Sequence, residues 1–400
     1  VIGASLPGTP VIISGRNEQL AWGITASYLD DQDIFIEEIN SSNPSLYRTK
    51  NGWAKFKIDE QYIKVKNSSN LKIKRRWTNN GPVLQGSVFN LSSITPKNHI
   101  ATLSWTGLSD KDTTISSAIN LMQSQNVRQG LNALEDFYAP SLNFLLVDNN
   151  RMTLKSVGKM PRRSPINQGQ GRMPSLGWKA ENNWRGFWGY EVNPTVNSSP
   201  GDILGNTNNK ITDEKFPQHM SYFWGDTQRI LRWQKLMQNR EVHTRESFIE
   251  AQLDTVSPTA RSLLPIIGSE LWYSQPMGEA GSKKRLRFDA ISMLASWNGE
   301  MNEHLPEPLI YSTWMKFLQK KLIEDELGPV SQQFLNINPI FIEKVFRDIE
   351  GASIWCDIKH SVNRETCAQI ASISLDEALS WLQEKYGKNL SSLRWGDAHE

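Results

Sequence analysis

Between Gly3 and Asp33 the chain crowds turn glycines, two apolar runs and three carboxylates into one stretch, a density that surface packing alone does not demand. Pro10 to Ile13 and Ala21 to Ala26 flank Gly15-Arg-Asn17, a turn tolerant of positive φ, so they read as the two arms of a hairpin. Asp30, Asp31 and Asp33 follow at once. Carboxylates this close repel one another unless a cation or a basic partner stands among them.

Downstream, period-two alternation continues. Asp33 to Ile39 alternates until Asn40-Ser-Ser-Asn-Pro44 breaks it, and Trp53 to Ile58, Tyr62 to Lys66 and Leu71 to Trp77 interleave apolar with basic residues. These are expected antiparallel strands with one wet face. Asn80-Gly-Pro-Val83 turns into a further strand, and Ile100 to Trp105 is another. Apolar spacings of three and four first appear at Thr114 to Met122 and Val127 to Phe137, which predicts two helices. Strands return at Asn143 to Val147 and Met152 to Val157 across the turn Asp148-Asn-Asn150. Blocks of this kind imply helices stacked on antiparallel sheets.

Arg162 to Ser199 lacks periodicity yet carries Trp178, Trp184 and Trp188, so it reads as an ordered wrap and not a linker. After Gly205-Asn-Thr-Asn-Asn209 the pattern turns helical. Helices are expected over Thr227 to Gln238, Thr244 to Leu253, Lys283 to Trp297, Leu309 to Glu326 and Ser374 to Tyr386, the last with Ser374 as its N-cap. Most of the 15 tryptophans fall at strand or turn positions, where large rings fill the gap between layers better than they stack on sugars.

Lys and Arg total 44 against 42 Asp and Glu, a net charge of +2, which makes no general electrostatic case for nucleic acid or an anionic membrane. No apolar run approaches the roughly 18–20 residues of a membrane span. The six histidines show no zinc-ligand spacing. Cys356 and Cys367 fit one disulfide or two buried thiols equally well. Val1-Ile-Gly-Ala-Ser5 has neither a start methionine nor the regions of a secretory signal, and Arg394 to Glu400 stops without an ending device, so the expectation is a fragment cut at both ends.

Gly3-Ala-Ser-Leu-Pro-Gly8, Gly15-Arg-Asn17 and Ala21-Trp-Gly-Ile-Thr-Ala26 resemble the β subunit of the penicillin acylase (penicillin amidase) family of N-terminal-nucleophile hydrolases. The resemblance runs on in order through Asp30-Asp-Gln-Asp-Ile-Phe35, Asn80-Gly-Pro82, Gly158-Lys-Met-Pro-Arg162, Pro174-Ser-Leu-Gly-Trp178, Trp184-Arg-Gly186, Gly205-Asn-Thr-Asn-Asn209, Arg229, Asp254 to Arg261 and Trp395-Gly-Asp-Ala-His399. It implies an α+β fold, a four-layer αββα sandwich over residues 1–240 followed by a mainly helical region over 241–400. It also implies an α subunit cut from the same precursor by autoprocessing, and export to the periplasm.

By the same resemblance the nucleophile is the first residue of the β subunit, usually serine, with its own α-amine as base. An α-amine titrates at roughly 7.7–8.0, so it can accept the hydroxyl proton without a histidine. That residue should lie upstream of Val1, which has no hydroxyl or thiol, and Ser5 reads as a turn serine. The chain alone should therefore be inactive. The oxyanion donors map onto the side-chain amide of Asn208 and the main-chain N–H of Ala26, with Asn206 a one-step misalignment; by itself Asn208 reads as a turn asparagine at positive φ. Calcium ligands map onto the carboxylates of Asp30 and Asp33 and the carbonyl of Gln32, against the alternative of a solvated acidic turn. A further aspartate ligand of some relatives falls near Gln218 or His219, neither of them good for calcium. Arg229 matches an arginine close to the active site or is a helix-surface residue, and Asn80 stands where many relatives carry histidine. The activity implied is hydrolysis of an N-acyl amide. Acyl-homoserine lactones are an alternative substrate class, and a non-catalytic Trp-rich envelope binding module is the competing reading.

Overall fold

The computed structural model describes residues 1–89, 91, 95–199, 201–214, 221–225, 227–274, 277–359 and 361–399. Gln218, His219 and His360 fall outside them. The chain divides into two compact units, Val1–Gly225 and Asp226–Glu400. The division comes earlier than the expected boundary at 240, because the helix over Gln228–Gln238 buries Ile230 and Met237 and packs on the helix over Pro258–Ser274.

In chain order the first unit holds β1 (Ile2–Ser5), β2 (Ile12–Arg16), β3 (Ala21–Ala26), β4 (Gln32–Glu38), β5 (Leu46–Thr49), β6 (Gly52–Lys55), β7 (Lys57–Ile63), β8 (Leu71–Thr78), β9 (Gly81–Pro82), α1 (Gly86–Phe89), β10 (His99–Trp105), α2 (Thr114–Gln123), α3 (Val127–Ala133), β11 (Leu142–Val147), β12 (Met152–Val157), β13 (Ser175–Leu176) and β14 (Thr195–Asn197). A six-stranded sheet runs β1-β2-β3-β11-β12-β14, antiparallel throughout. A second sheet runs β10-β4-β13, and β5-β6 and β7-β8-β9 form smaller ones. The strand expected over Tyr62 to Lys66 is displaced: β7 ends at Ile63, and the chain turns after Val65 to pair β8 back along it.

Helices α2 and α3 cover one face of the six-stranded sheet. Leu121 and Val127 pack there on Leu20, Trp22, Phe144, Leu146 and Val157, each burial worth about 1.5–3 kcal/mol. Asn17, the turn residue between β2 and β3, donates from Nδ2 to Met122 O and Ser124 O at 3.1 and 2.7 Å, giving partners to carbonyls at the end of α2. Its Oδ1 accepts from the N–H groups of Gln19 and Leu20, both at 2.8 Å, which holds the turn.

The second unit is helical: α4 (Gln228–Gln238), α5 (Arg245–Gln252), α6 (Pro258–Ser274), α7 (Lys283–Ser296), α8 (Glu307–Leu327), α9 (Pro339–Phe346) and α10 (Cys367–Tyr386). Its core gathers Trp314, Leu318 and Leu322 of α8, Leu263 and Ile267 of α6, Leu294 of α7 and Leu375 and Leu379 of α10. Helix α6 is not expected from the sequence, and the expected start of α10 is corrected. Helix α6 is masked in the sequence by Pro265 inside it, a residue that costs a helix interior about 3 kcal/mol; the buried Leu263, Leu264, Ile267 and Leu271 offset it. Helix α10 begins at Cys367 with Thr366 as N-cap in a capping box with Gln369, so Ser374 lies within the helix. There its hydroxyl donates to Ala371 O at 3.0 Å and accepts from Trp314 Nε1 at 3.1 Å. Cys356 and Cys367 are joined by a disulfide. Among the described residues no helix is long and apolar enough to cross a membrane.

Candidate functional site

Strand alternation that points Trp22, Ile24, Phe144 and Leu146 at the helices points Thr25, Asn143 and Ser156 out of the opposite face. Register places these three side by side across β3, β11 and β12, Thr25 opposite Asn143 and Asn143 opposite Ser156. Ser156 Oγ donates to Asn143 Oδ1 at 2.8 Å, and Asn143 Nδ2 lies 3.3 Å from Thr25 Oγ1. Asn143 is 1% exposed and Ser156 0%, so a buried polar row crosses the sheet where an apolar layer would otherwise stand.

That row receives a loop from far along the chain. Asn206 Oδ1 accepts from Thr25 Oγ1 at 2.7 Å, from Asn143 Nδ2 at 3.1 Å and from the N–H of Asn208 at 2.9 Å. Its Nδ2 donates to Asn209 O and Oδ1 at 3.1 and 3.2 Å. Both ends of the Asn206 amide are thus committed to holding the loop. Asn208 follows at φ 68°, a left-handed conformation that asparagine tolerates, and its Nδ2 donates to Ala26 O at 3.1 Å across 182 residues of sequence. Ala26 ends β3 exposed, and Gly225 backs the loop, its N–H donating to Asn208 O at 2.9 Å. A Cβ on Gly225 would stand 2.9 Å from that carbonyl oxygen, so the approach requires glycine.

Asp30, Gln32 and Asp33 also come together, and the group they surround is the guanidinium of Arg163. Arg163 Nε donates to both oxygens of Asp33 at 3.1 and 2.9 Å, and Nη2 donates to Asp33 Oδ1 at 2.9 Å, Asp30 O at 3.0 Å and Gln32 O at 3.3 Å. Nη1 lies 3.1 Å from Asp30 Oδ2, an ion pair whose angle falls short of a hydrogen bond. Trp184 Nε1 donates to Asp33 Oδ2 at 2.6 Å. Burial pushes the Asp30 carboxyl up to about 7 despite the pull of Arg163, and burial likewise raises Asp31. Of the oxygens that a calcium ion would need, both of Asp33 and the carbonyl of Gln32 already accept N–H groups, and Asp30 Oδ2 faces the charge of Arg163. The set as folded does not fit the ion, and among the described residues no group of three or more His, Cys, Asp or Glu side chains is arranged to hold a metal.

A second buried carboxylate, Glu37 on β4, is 0% exposed. Its Oε1 accepts from Asn80 Nδ2 at 2.9 Å, Thr78 Oγ1 at 3.1 Å and Thr102 Oγ1 at 3.3 Å, while Oε2 has no hydrogen-bond partner. Burial raises its carboxyl above the ordinary range. Asn80 therefore serves β4 structurally. Ser5 lies exposed on β1, and Arg229 is exposed in the first turn of α4, in the second unit.

Of these residues Asn143, Asn206 and Arg163 carry most of the geometry. Asn143 had a visible signal, a polar residue opening the apolar run Asn143-Phe-Leu-Leu-Val147. Arg163 stands one position past the motif ending at Arg162, in a segment without periodicity, and nothing in the sequence singles it out.

A family model described as Penicillin amidase matches residues 1–400. Acyl-homoserine lactone acylase QuiP of Pseudomonas fluorescens strain Pf-5 is 24% identical over 417 residues, which cover 99% of this chain and 49% of that protein. Penicillin acylase 2 proenzyme of Pseudomonas sp. strain SE83 is 21% identical over 100% of this chain and 49% of its own length. Penicillin G acylase of Escherichia coli is 23% identical over 78% of this chain and 36% of its own length. The chain spans about half the length of the first of these relatives. The solved thermostable penicillin G acylase from Alcaligenes faecalis superposes with a TM-score of 0.74 at 19% identity, over 98% of this chain and 72% of that one. That likeness shows a shared α+β fold.

Proposed function

The chain belongs to the penicillin amidase family, and from that premise we propose that it forms part of a hydrolase that cleaves the amide bond of an N-acyl substrate. The observation that carries the reading is the meeting of Asn208 Nδ2 with the main chain of Ala26, two groups separated by 182 residues. In the proposed reaction a nucleophile outside these 400 residues attacks the acyl carbonyl, and a free α-amine takes its proton. The developing oxyanion is met by the Asn208 amide and by the N–H of Ala26. Collapse of the tetrahedral species, with the α-ammonium passing its proton to the leaving nitrogen, expels the amine and leaves an acyl-enzyme. Water, its proton taken by the same α-amine, then hydrolyses it through the same two donors.

Asn206 and Asn143 act at one remove. They hold the loop against β3 and β11, so the donor amide is placed before substrate arrives, and a donor positioned in advance costs no reorganisation in the transition state. The cystine Cys356–Cys367 supports an oxidising compartment, in keeping with the periplasmic location that the family resemblance implies. An α subunit from the same precursor would complete the enzyme. Acyl-homoserine lactones and the N-acyl amides of penicillins are the two substrate classes to test side by side, because relatives named for each align over 99% and 100% of this chain.

The test uses the complete processed protein and a panel of N-acyl-homoserine lactones and phenylacetyl amides, with Asn208→Gly as the probe. Glycine keeps the left-handed backbone and removes the amide. Loss of one oxyanion donor should lower kcat about 10²–10³-fold with little change in KM. A variant with undiminished kcat removes Asn208 from the chemistry.

A further inference from the structure

We propose that the guanidinium of Arg163 takes the place of a divalent cation in the Asp30–Asp33 turn, so that this chain folds and holds its shape without calcium. The inference stands apart from the catalytic reading. It rests on where one side chain ends: a single planar group touches every member of the expected ligand set, the carbonyl of Gln32 and the carboxylates of Asp30 and Asp33, and the carbonyl of Asp30 besides.

The substitution is chemically apt. A calcium ion draws 6–8 oxygen ligands to roughly 2.3–2.6 Å. An arginine instead offers five N–H donors in a fixed fork, at hydrogen-bond length, and carries its charge over the whole plane. Here both oxygens of Asp33 face Nε, one of them also faces Nη2, and the same Nη2 reaches two main-chain carbonyls. Each of those oxygens has a lone pair turned toward nitrogen. A metal ion placed among them would displace the guanidinium or stand against its charge at contact distance, in a place where Arg163 is 5% exposed and water cannot screen the repulsion.

The surroundings are shaped to the guanidinium as well. Gly171, at φ +86°, lies so close that a Cβ there would stand 2.7 Å from Arg163 Cζ and 2.6 Å from Asp30 Oδ2. The loop carrying it is pinned by Gln170 Nε2, which donates to Ser164 O at 2.7 Å and Asn167 O at 2.6 Å. Trp184 Nε1 holds Asp33 from another side, so the carboxylate that accepts most from Arg163 is fixed before the arginine is counted. Arg163 reaches this turn across 130 residues of sequence and ties the segment after β12 to the start of β4. A resident cation in such a turn would have the same task.

The experiment compares melting midpoints of the complete wild-type protein and of Arg163→Ala in EGTA and in millimolar calcium, with NaCl matched for ionic strength. Wild type should move by less than about 1 °C between the two buffers. Arg163→Ala should melt well below wild type in EGTA and recover by about 5 °C or more in calcium but not in NaCl, the emptied ligand set now admitting the ion. A variant that folds only when calcium is present supports the proposal equally. The proposal is overturned if EGTA lowers the wild-type midpoint, if Arg163→Ala matches wild type in EGTA, or if its loss is one that calcium does not recover. Should Arg163→Ala fail to fold in either buffer, the wild-type comparison decides, supplemented by calorimetric titration with calcium: absence of binding heat upholds the proposal, and a one-to-one isotherm refutes it.

Discussion

Asn206 and Asn208 differ by two positions in one loop, and the structure assigns them opposite consequences on removal. In Asn206→Ala the Thr25 hydroxyl and the Asn208 N–H lose their acceptor, while Asn143 Nδ2 keeps Thr25 Oγ1 at 3.3 Å and Ala26 O at 3.4 Å. Two donors stranded at about 1–3 kcal/mol each give about 2–6 kcal/mol, and the half-buried setting of the loop lets water reduce this to about 2–3 kcal/mol. In Asn208→Gly the exposed bond to Ala26 O disappears, and the loss should be about 0.5–1.5 kcal/mol. Urea unfolding of the two variants beside wild type reads the difference directly, as a shift in midpoint at unchanged slope. The rates should rank the other way, Asn208→Gly losing two to three orders of magnitude in kcat while it remains nearly as stable as wild type. Equal destabilisation by the two changes would refute the assignment of Asn206 as the residue that holds the loop, and so would an Asn206→Ala protein as stable as wild type.

Three more expectations follow from single features. Burial raises the Glu37 carboxyl in the folded chain, so its contribution to stability is full below the ordinary glutamate value of about 4.3 and is lost as pH rises through the raised value; Glu37→Gln, compared with wild type by urea titration from pH 4 to 8, should gain relative stability across that range, and parallel curves would count against a buried charge. Gly225→Ala puts a methyl group 2.9 Å from Asn208 O and should lower kcat about tenfold or more through displacement of the loop, with wild-type kinetics as the contrary result. Opening the Cys356–Cys367 bond, which closes a separation of 11 residues, should cost the second unit about 2–3 kcal/mol, seen as a lower midpoint in reductant that the double alanine variant no longer shows.

The strands that build the site are legible in the sequence because their cause is local. Short apolar runs over Ala21 to Ala26, Asn143 to Val147 and Met152 to Val157, set off by turn residues, mark strands, and the observed β3, β11 and β12 follow them closely. Asn208 is legible only through resemblance, since an asparagine in a polar loop gives no sign of what lies 182 residues before it. Asn206 looks from sequence like no more than a misaligned neighbour, although its oxygen collects three donors. Arg163 is illegible for the same reason at greater strength: its partners are the turn at Asp30–Asp33, and its own neighbourhood has no period. Helix starts mislead where two serine or threonine caps compete. Thr366 has the reciprocal partner Gln369, a Thr-x-x-Gln box already present in the sequence, whereas Ser374 answers a buried tryptophan.

The docking of residues 205–209 on β3 and β11 also bears on how the molecule comes into being. Closing a circuit of 182 residues is entropically dearer than closing a hairpin, and topology of that kind slows folding. The sheet can zip from neighbouring strands, but the asparagine contacts that join its polar row to the distant loop must wait until nearly the whole first unit has been laid down. Chains caught short of that closing event would carry a finished sheet with the loop undocked, so the fraction of molecules with the loop in place in a fresh preparation should trail the fraction that has already gained its strands.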